Sequence, residues 1–212
     1  MGTTSTESRD DVDDDDLQPW VAPTYEGLAA LLSAGPPETW DAPSLCTRWQ
    51  VRHVVAHVTM PARLTPEQFG AEMAAARGDF GVLSDTVAAR DAALPPDELL
   101  AALRSPRLHD WQPPGGGAAG ALSHAVVHAL DVTAALGAPT TAPAPAVTAV
   151  LDQLADGSVF GLDLTDIWLQ ATDSDWGSGD GEVLRADSGQ LVALLAGRTL
   201  PDGRSLPRVS AR

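Results

Sequence analysis

The sequence predicts a mainly α-helical protein in which a helical bundle is followed by a small C-terminal α/β region. Apolar residues recur near a 3.6-residue period through the first two thirds of the chain, which is typical of helices that share one core. From about residue 158 the pattern alternates and is rich in β-branched and aromatic residues, which favours strands. A chain of 212 residues with 44% hydrophobic residues can bury such a core.

The chain is predicted to have three regions. Residues 1–16 hold seven acids, one Arg and a single Val, so they cannot bury a core and are expected to form a disordered acidic tail. Residues 17–145 are assigned to the helical bundle and residues 146–212 to the α/β region. We find no internal repeat.

The helices of the bundle are predicted from their periodicity and their ends. A first helix covers about residues 17–34 and is stopped by a Gly-Pro-Pro run, and a second covers about 47–60 with four valines on one stripe. The residues Thr-Pro-Glu-Gln at 65–68 begin a third, because Thr at the N-cap and Gln three positions later form a capping box. Further helices are expected at about 81–93 and 97–104.

The second half begins with one strongly apolar helix. It is expected over residues 118–136, after a Pro/Gly loop, with Gly137 at its C-cap. The later elements are predicted to be a helix at about 146–156, strands within 158–172, a Gly-rich turn at 177–181, a strand at 182–186 and a helix at 190–195.

The charge and the single cysteine exclude several classes of protein. There are 29 acidic and 13 basic residues, for a formal net charge of −16. Every basic residue is an Arg. Such a chain is repelled by phosphate backbones and anionic lipids, so we expect binding to neither nucleic acid nor a membrane. Cys46 cannot form an internal disulfide, and the N-terminus lacks the basic and apolar regions of a signal peptide. Both observations favour a cytoplasmic protein.

Two histidines stand one turn apart in the apolar helix 118–136. His124 and His128 are spaced i, i+4, so their imidazoles lie on one face and can share a metal ion. Asp131 follows on the same face, where its carboxylate can either orient a ligand imidazole or contact a substrate. An HxxxH pair alone is most often two packing histidines.

A third candidate ligand comes from the second helix. His57 lies about 110° from the centre of the valine stripe and is predicted at its inner edge, whereas His53, at about 150°, is predicted to face solvent. Three neutral imidazoles leave one position open for water or substrate, which is typical of catalytic zinc sites. The other histidine, His109, is predicted to lie in a surface loop.

Other catalytic signatures are missing from the sequence. Cys46 precedes a helix start, where a thiolate can be stabilised, but a lone Cys near Leu45 and Trp49 is more often a packing residue. We therefore do not assign it as a nucleophile. There is no GxSxG elbow, Walker A loop or HExxH motif, and the Gly-rich run 177–181 lacks the helix of a dinucleotide fingerprint.

Three segments, in order, resemble one known family. Residues 49–57, Trp-Gln-Val-Arg-His-Val-Val-Ala-His, resemble the W-x-V-R-x-[VL]-[VL]-A-H segment of the mycothiol-dependent maleylpyruvate isomerase family, within the DinB/YfiT-like metalloprotein superfamily. Residues 128–137 resemble its H-x-x-D…LG segment, and residues 175–198 resemble its C-terminal α/β region. The resemblance covers nearly everything after the acidic tail.

The resemblance implies a DinB-like four-helix bundle with a divalent metal ion in its core. Carried over by position, the ligands are His57, His124 and His128, the ion is zinc or alternatively nickel, and the cosubstrate is mycothiol or a similar thiol. The chain departs from the family at His124, where isomerase-type members carry Glu and DinB-like relatives more generally carry His. A three-His site has one fewer negative charge, so its metal is a stronger Lewis acid.

A mechanism and two substrate contacts follow as hypotheses. The metal would lower the pKa of a bound thiol, whose thiolate attacks a small electrophile to give S-conjugation or, for a cis-enedioate, addition, rotation and elimination. Arg198 and Arg52 are the candidates for holding a substrate carboxylate, with a solvated surface position as the alternative for Arg52.

The sequence supports three functions of different kinds. The first is a metal-dependent, thiol-dependent transferase or isomerase whose partners are a small thiol and a small electrophilic substrate. The second is a non-catalytic metal- or small-ligand-binding bundle, and the third is a structural domain whose histidines only pack. A homodimer stays open as the oligomeric state.

Overall fold

The structure, a computed structural model, describes residues 16–209. The predicted acidic tail therefore lies outside the described residues, apart from Asp16. The helices are α1 (Val21–Ala34), α2 (Val51–Val58), α3 (Met60–Arg63), α4 (Pro66–Ala75), α5 (Phe80–Asp91), α6 (Pro96–Leu103), α7 (Pro106–His109), α8 (Gly117–Thr133), α9 (Ala144–Leu154) and α10 (Ser188–Leu195). The strands are β1 (Ile167–Ala171), β2 (Gly177–Gly179) and β3 (Glu182–Ala186).

The apolar faces of the first helices meet in one core. Helices α1 and α2 both pack on α8, while α5 packs on α2 and α6 packs on both α1 and α2. Leu28, Val54 and Val126 are completely buried where these helices meet. The predicted fold class, a mainly α-helical DinB-like bundle with a small α/β part, is confirmed.

The C-terminal part is tied to the bundle through two helices. Its sheet has the order β2-β1-β3, with β1 antiparallel to β2 and parallel to β3. Helix α10 packs on α8, α9 and β1, and this contact places the residues just after α10 next to α8. The predicted boundary between residues 145 and 146 falls inside α9, which packs on both α8 and α10; the division into domains stays a prediction.

Most predicted helices are present within a few residues of their expected bounds. The capping box at the start of α4 is complete, because Gln68 N–H donates to Thr65 Oγ1 at 3.2 Å and Thr65 N–H donates to Gln68 Oε1 at 2.8 Å. Gly137 has a φ of 63° and closes the turn after α8, in the left-handed conformation that glycine adopts without strain.

Two helix predictions were wrong. The second helix begins at Val51 rather than near residue 47, because the preceding residues form a turn in which Arg48 has a φ of 70° and Trp49 N–H donates to Cys46 O. His109 does not lie in a loop but ends α7, since Pro106 at the first position favours a helical turn there.

Two strand predictions also need correction. Within 158–172 only β1 is a strand, because residues 158–160 form a 3₁₀ helix between Gly157 and Gly161, both left-handed. The Gly-rich run predicted as a turn contributes β2, where Gly179 has a φ of 94° and a Cβ would overlap the carbonyl oxygen of Ile167. Glycines here permit a close strand pairing. No helix among residues 16–209 is long and apolar enough to cross a membrane.

Candidate metal centre

The three histidines predicted as ligands come together between α2 and α8. His57 comes from the last turn of α2, and His124 and His128 lie one turn apart on α8. One nitrogen of each ring lies within 4.8 Å of a nitrogen of the other two. The ring centroids are 4.8 Å apart for His57 and His128, 4.9 Å for His124 and His128, and 5.4 Å for His57 and His124. We call these three residues the histidine cluster.

The local sequence of the two helices explains this approach. Helix α8 buries small side chains completely or almost completely at Ala121, Ala125 and Ala129, and small residues let neighbouring helices pack closely. Helix α2 buries Val54 and Val55 in the same core. His57 is almost wholly buried, while His124 and His128 are half-buried, so the cluster lies at the edge of the core.

Asp131 organises one side of the histidine cluster. Its carboxylate is 2.8 Å from His128 Nδ1, accepts two hydrogen bonds from Arg198 at 2.7 and 3.0 Å, and accepts one from the Cys46 thiol at 3.0 Å. Burial alone would raise the pKa of Asp131, but the hydrogen bonds from His128 and Arg198 and the positive charge of Arg198 hold that pKa well below its usual range. The side chain is therefore a carboxylate.

An ionised carboxylate can only accept hydrogen bonds, so His128 must carry its proton on Nδ1. Its Nε2 lone pair is then free to bind a metal ion. The hydrogen bond from His128 to Asp131 is the contact that would orient a ligand imidazole, which was the first alternative for Asp131. The second alternative, direct contact with a substrate, is disfavoured because Asp131 is completely buried.

Tyr25 holds the other histidine of α8 and was missed from the sequence. Its hydroxyl is 2.9 Å from His124 Nδ1, and only 1% of the residue is exposed. Burial raises the pKa of the phenol, which is therefore neutral and can donate or accept. A tyrosine on the apolar stripe of α1 looks like any core residue, and its partner is 99 positions away in the sequence.

The histidine cluster fits the divalent metal ion that the resemblance implies. His57 Nδ1 is buried and has no hydrogen-bond partner among the described residues, a cost that a ligand or water would remove. Burial lowers the pKa of His57 to about 3, and burial also holds the pKa of His124 well below its usual value. Neutral imidazoles are the form that binds zinc or nickel.

The two predicted substrate arginines are both engaged by the protein. Arg198 clamps Asp131 with Nε and Nη2, and its Nη1 donates to Ala196 O at 3.3 Å. Arg52 pairs with Asp41 at 2.9 Å and donates to Ala92 O at 3.1 Å. The structure thus brings Arg198 to the histidine cluster through Asp131, whereas the contacts of Arg52 include none of the three histidines.

Cys46 lies against Asp131 as a thiol. Burial and the Asp131 carboxylate raise the pKa of Cys46, and the nearby Arg198 does not offset them. A protonated, hydrogen-bonded thiol is a poor nucleophile. This agrees with the expectation that Cys46 is not the nucleophile, although the thiol donates to a carboxylate rather than only packing.

The remaining two histidines have structural contacts. His53 does not simply face solvent, because its Nδ1 accepts from Gln50 N–H at 3.3 Å and so caps the start of α2. His109 is half-buried, with its Nε2 at 2.8 Å from Leu103 O and its ring stacked on Tyr25 at a centroid distance of 6.4 Å. Neither belongs to the histidine cluster.

Three aromatic rings also contact the histidine cluster. Trp49 lies 5.2 Å and Phe80 6.3 Å from the His57 ring, and Trp111 lies 5.3 Å from the His124 ring, measured between centroids. Sequence reasoning missed these contacts, because the three residues lie in separate segments and only the tertiary fold places them together.

The comparisons with known proteins agree with this picture. Residues 21–109, which include His57, match the family described as "Mycothiol maleylpyruvate isomerase N-terminal domain". The fold is similar to a crystal structure of the mycothiol-dependent maleylpyruvate isomerase, with 15% identity, a TM-score of 0.58, and coverage of 94% of this chain and 97% of that chain. A histidine-to-alanine mutant of that isomerase matches at 14% identity with the same TM-score and coverage. No curated protein matches the sequence.

Proposed function

We propose that this protein belongs to the mycothiol-dependent maleylpyruvate isomerase family and is a metal-dependent enzyme that uses a low-molecular-weight thiol. The match over residues 21–109 and the similar fold support this proposal. It transfers that thiol to a small electrophilic substrate, or isomerises the substrate through it. Mycothiol or a similar thiol is the proposed cosubstrate, zinc the proposed metal with nickel as the alternative, and the cytoplasm the proposed compartment.

The observation that supports this proposal is the orientation of the histidine cluster. His57 Nδ1 is buried without a partner, while His124 and His128 each use Nδ1 on another side chain. A divalent ion held by the three imidazoles would supply the charge that lowers the pKa of a thiol at its open position. Because Nδ1 of His124 and of His128 is used by Tyr25 and Asp131, Nε2 is the nitrogen that each of these rings would offer to the ion.

The residues around the cluster have separate roles in this proposal. Asp131 keeps the Nδ1 proton on His128, and Arg198 keeps Asp131 ionised despite its burial. Tyr25 fixes the ring of His124. The aromatic side chains Trp49 and Trp111 cover part of the histidines and limit the access of water.

The first test is metal analysis of the purified protein and of the variants His57→Ala and His128→Ala. We expect about one equivalent of metal in the wild type and loss of that metal in both variants. His53→Ala is the matched control, since His53 lies on the same helix outside the cluster and its removal should leave the metal bound. A His57 or His128 variant that retains one equivalent of tightly bound metal would show that the ligands are assigned wrongly.

The second test separates an enzyme from a non-catalytic metal-binding bundle. Thiol-dependent turnover is measured against a panel of electrophiles that includes maleylpyruvate, after metal removal and after metal is restored. We expect turnover only when both metal and thiol are present. Stable metal binding without turnover on any electrophile would instead favour the non-catalytic alternative.

A further inference from the structure

A cavity of about 780 Å³ lies on the side of α8 that faces away from the histidine cluster. At 100° per residue, Leu130, which lines this cavity, lies about 160° around the helix from His128. Residues of α9 and α10 and the segments 137–140 and 200–202 form other parts of its wall. A volume of this size is typical of cavities that bind small molecules. None of the three clustered histidines is among the lining residues, so this is a separate candidate site.

Three aspartates line the cavity: Asp173, Asp187 and Asp202. Asp202 is already paired with Arg204 at 2.7 Å. Oδ1 of Asp173 accepts the backbone N–H of the first residue of α10, and Oδ1 of Asp187 accepts that of the third, both at 2.8 Å. In the described part of the chain, Oδ2 of Asp173 and of Asp187 has no hydrogen-bond partner. These two oxygens are therefore available to a cation, and we call the space the acidic cavity.

The spacing of these acids does not fit a metal ion. Among residues 16–209, the two groups of His, Cys, Asp or Glu whose ligand atoms lie within 4.8 Å of one another both contain His128. The three aspartates form no such group, whereas a hard cation needs several oxygen ligands around one point. An organic ammonium group has three donors and can be held by one or two carboxylates. The acids thus favour an organic cation.

The bottom of the acidic cavity combines apolar side chains with a buried hydroxyl. Leu130, Val147 and Leu200 line the cavity and are almost completely buried. Thr133 also lines it, with 1% of the residue exposed, and its hydroxyl has no hydrogen-bond partner among residues 16–209. A buried polar group without a partner is costly. A ligand that offers a hydrogen bond to Thr133 would remove that cost.

We propose that the acidic cavity binds a small hydroxylated amine. The ammonium group contacts Asp173 and Asp187, the hydrocarbon part lies on Leu130 and Val147, and the hydroxyl bonds to Thr133. The lining contains three aspartates and no basic residue, so its charge favours a cation over a neutral or anionic ligand. This inference does not depend on the proposed function, because no residue of the histidine cluster takes part.

The test uses three probes with the same hydrocarbon chain. 6-Amino-1-hexanol carries both polar groups, 1-aminohexane lacks the hydroxyl, and 1,6-hexanediol has a neutral hydroxyl in place of the ammonium. Each probe is titrated into the purified full-length protein at neutral pH, and its dissociation constant is measured by calorimetry. We expect 6-amino-1-hexanol to bind about five-fold more tightly than either of the other two, because one hydrogen bond or one exposed ion pair contributes about 1 kcal/mol.

Variants of the acidic cavity show which residues cause that preference. Asp173→Asn and Asp187→Asn should each weaken both amines by about 2- to 5-fold and leave the diol unchanged. Asn keeps an oxygen that can accept the same backbone N–H, so the start of α10 stays capped. Thr133→Val keeps the shape of the side chain and should reduce 6-amino-1-hexanol to the affinity of 1-aminohexane. Asp180→Asn is the matched control, since it removes an equal charge from an exposed position between β2 and β3, outside the cavity.

Four results would overturn the inference. If the diol binds as tightly as the amines, the acids do not select a cation; if 1-aminohexane binds as tightly as 6-amino-1-hexanol, Thr133 does not hold a hydroxyl. If Asp180→Asn weakens the amines as much as Asp187→Asn does, the binding is only a general attraction to the net charge of −16. His57→Ala should bind the probes as the wild type does, and loss of binding in that variant would place the amine at the histidine cluster instead.

Discussion

Replacing Asp131 with Asn tests how the histidine cluster is oriented. The two side chains have the same shape, but Asn has one acceptor oxygen and one donor NH₂ in place of two acceptors. In the wild type one carboxylate oxygen accepts from Arg198 Nε, and the other faces His128 Nδ1, Arg198 Nη2 and the Cys46 thiol. Either orientation of the Asn amide points an N–H at a donor of Arg198.

The expected effects on stability and on metal affinity have separate causes. Removing one partner of a buried ion pair costs about 3–5 kcal/mol, because the charge of Arg198 is left uncompensated. An amide NH₂ next to His128 Nδ1 also favours the tautomer with the proton on Nε2, which cannot bind a metal ion. Loss of such an outer contact typically weakens metal binding by about 10- to 100-fold.

The assay measures both quantities on the same proteins. Zinc affinity is obtained by competition with a chromogenic chelator at neutral pH, and stability by urea unfolding of the metal-free protein. Asp91→Asn is the matched control, since Asp91 is also a buried carboxylate paired with arginines, Arg63 and Arg90, and does not contact the histidine cluster. It should lose stability and keep the wild-type zinc affinity. If Asp131→Asn binds zinc within two-fold of the wild type while losing stability as Asp91→Asn does, then Asp131 has only a structural role.

Three further predictions concern the same site and the fold around it. Tyr25→Phe removes the hydroxyl bound to His124 Nδ1 and should weaken zinc binding by about ten-fold; chelator competition checks this, and unchanged affinity would contradict it. The lowered pKa of His57, about 3, means that the unfolded chain binds more protons between about pH 3 and 6.5. The metal-free protein should therefore lose stability as the pH falls through that window, by about 1.4 kcal/mol per pH unit, and urea unfolding of His57→Phe should show a shallower dependence. Thr65→Ala breaks the capping box of α4 and should cost about 1 kcal/mol in thermal unfolding, without altering zinc affinity.

Helix α8 shows how much of the site could be predicted from the sequence. The i, i+4 spacing of His124 and His128 places both on one face whatever the helix packs against, and Asp131 follows on that face by the same geometry. The position of His57 followed from its angle to the valine stripe of α2. For such residues the period of the helix is sufficient.

The contacts across the chain could not be predicted in this way. Tyr25 and Arg198 reach the cluster from α1 and from the residues after α10, at sequence separations of 99 and 67 residues from His124 and Asp131. Arg198, a sequence candidate for holding a substrate carboxylate, clamps Asp131 in the structure. Its partner depends on how α10 packs on α8, and no local pattern encodes that packing.

The errors in the fold have a similar origin. The start of α2 was placed too early because residues 47–50 contain no Gly or Pro to mark a break, whereas the structure turns the chain there through a left-handed Arg48. β2 was missed because a Gly-Ser-Gly run has no strand propensity of its own and becomes a strand only by pairing with β1.

Periodicity and spacing by themselves determined the helical bundle, most of its longer helices and the shared face of His124 and His128, because these depend on the repeat of the backbone. The tertiary structure alone decided which distant groups join those histidines: Tyr25 at Nδ1 of His124, Arg198 on Asp131, and the rings of Trp49, Phe80 and Trp111 beside His57 and His124. Their relative positions follow from packing between distant segments, and packing depends on the shape of the whole core.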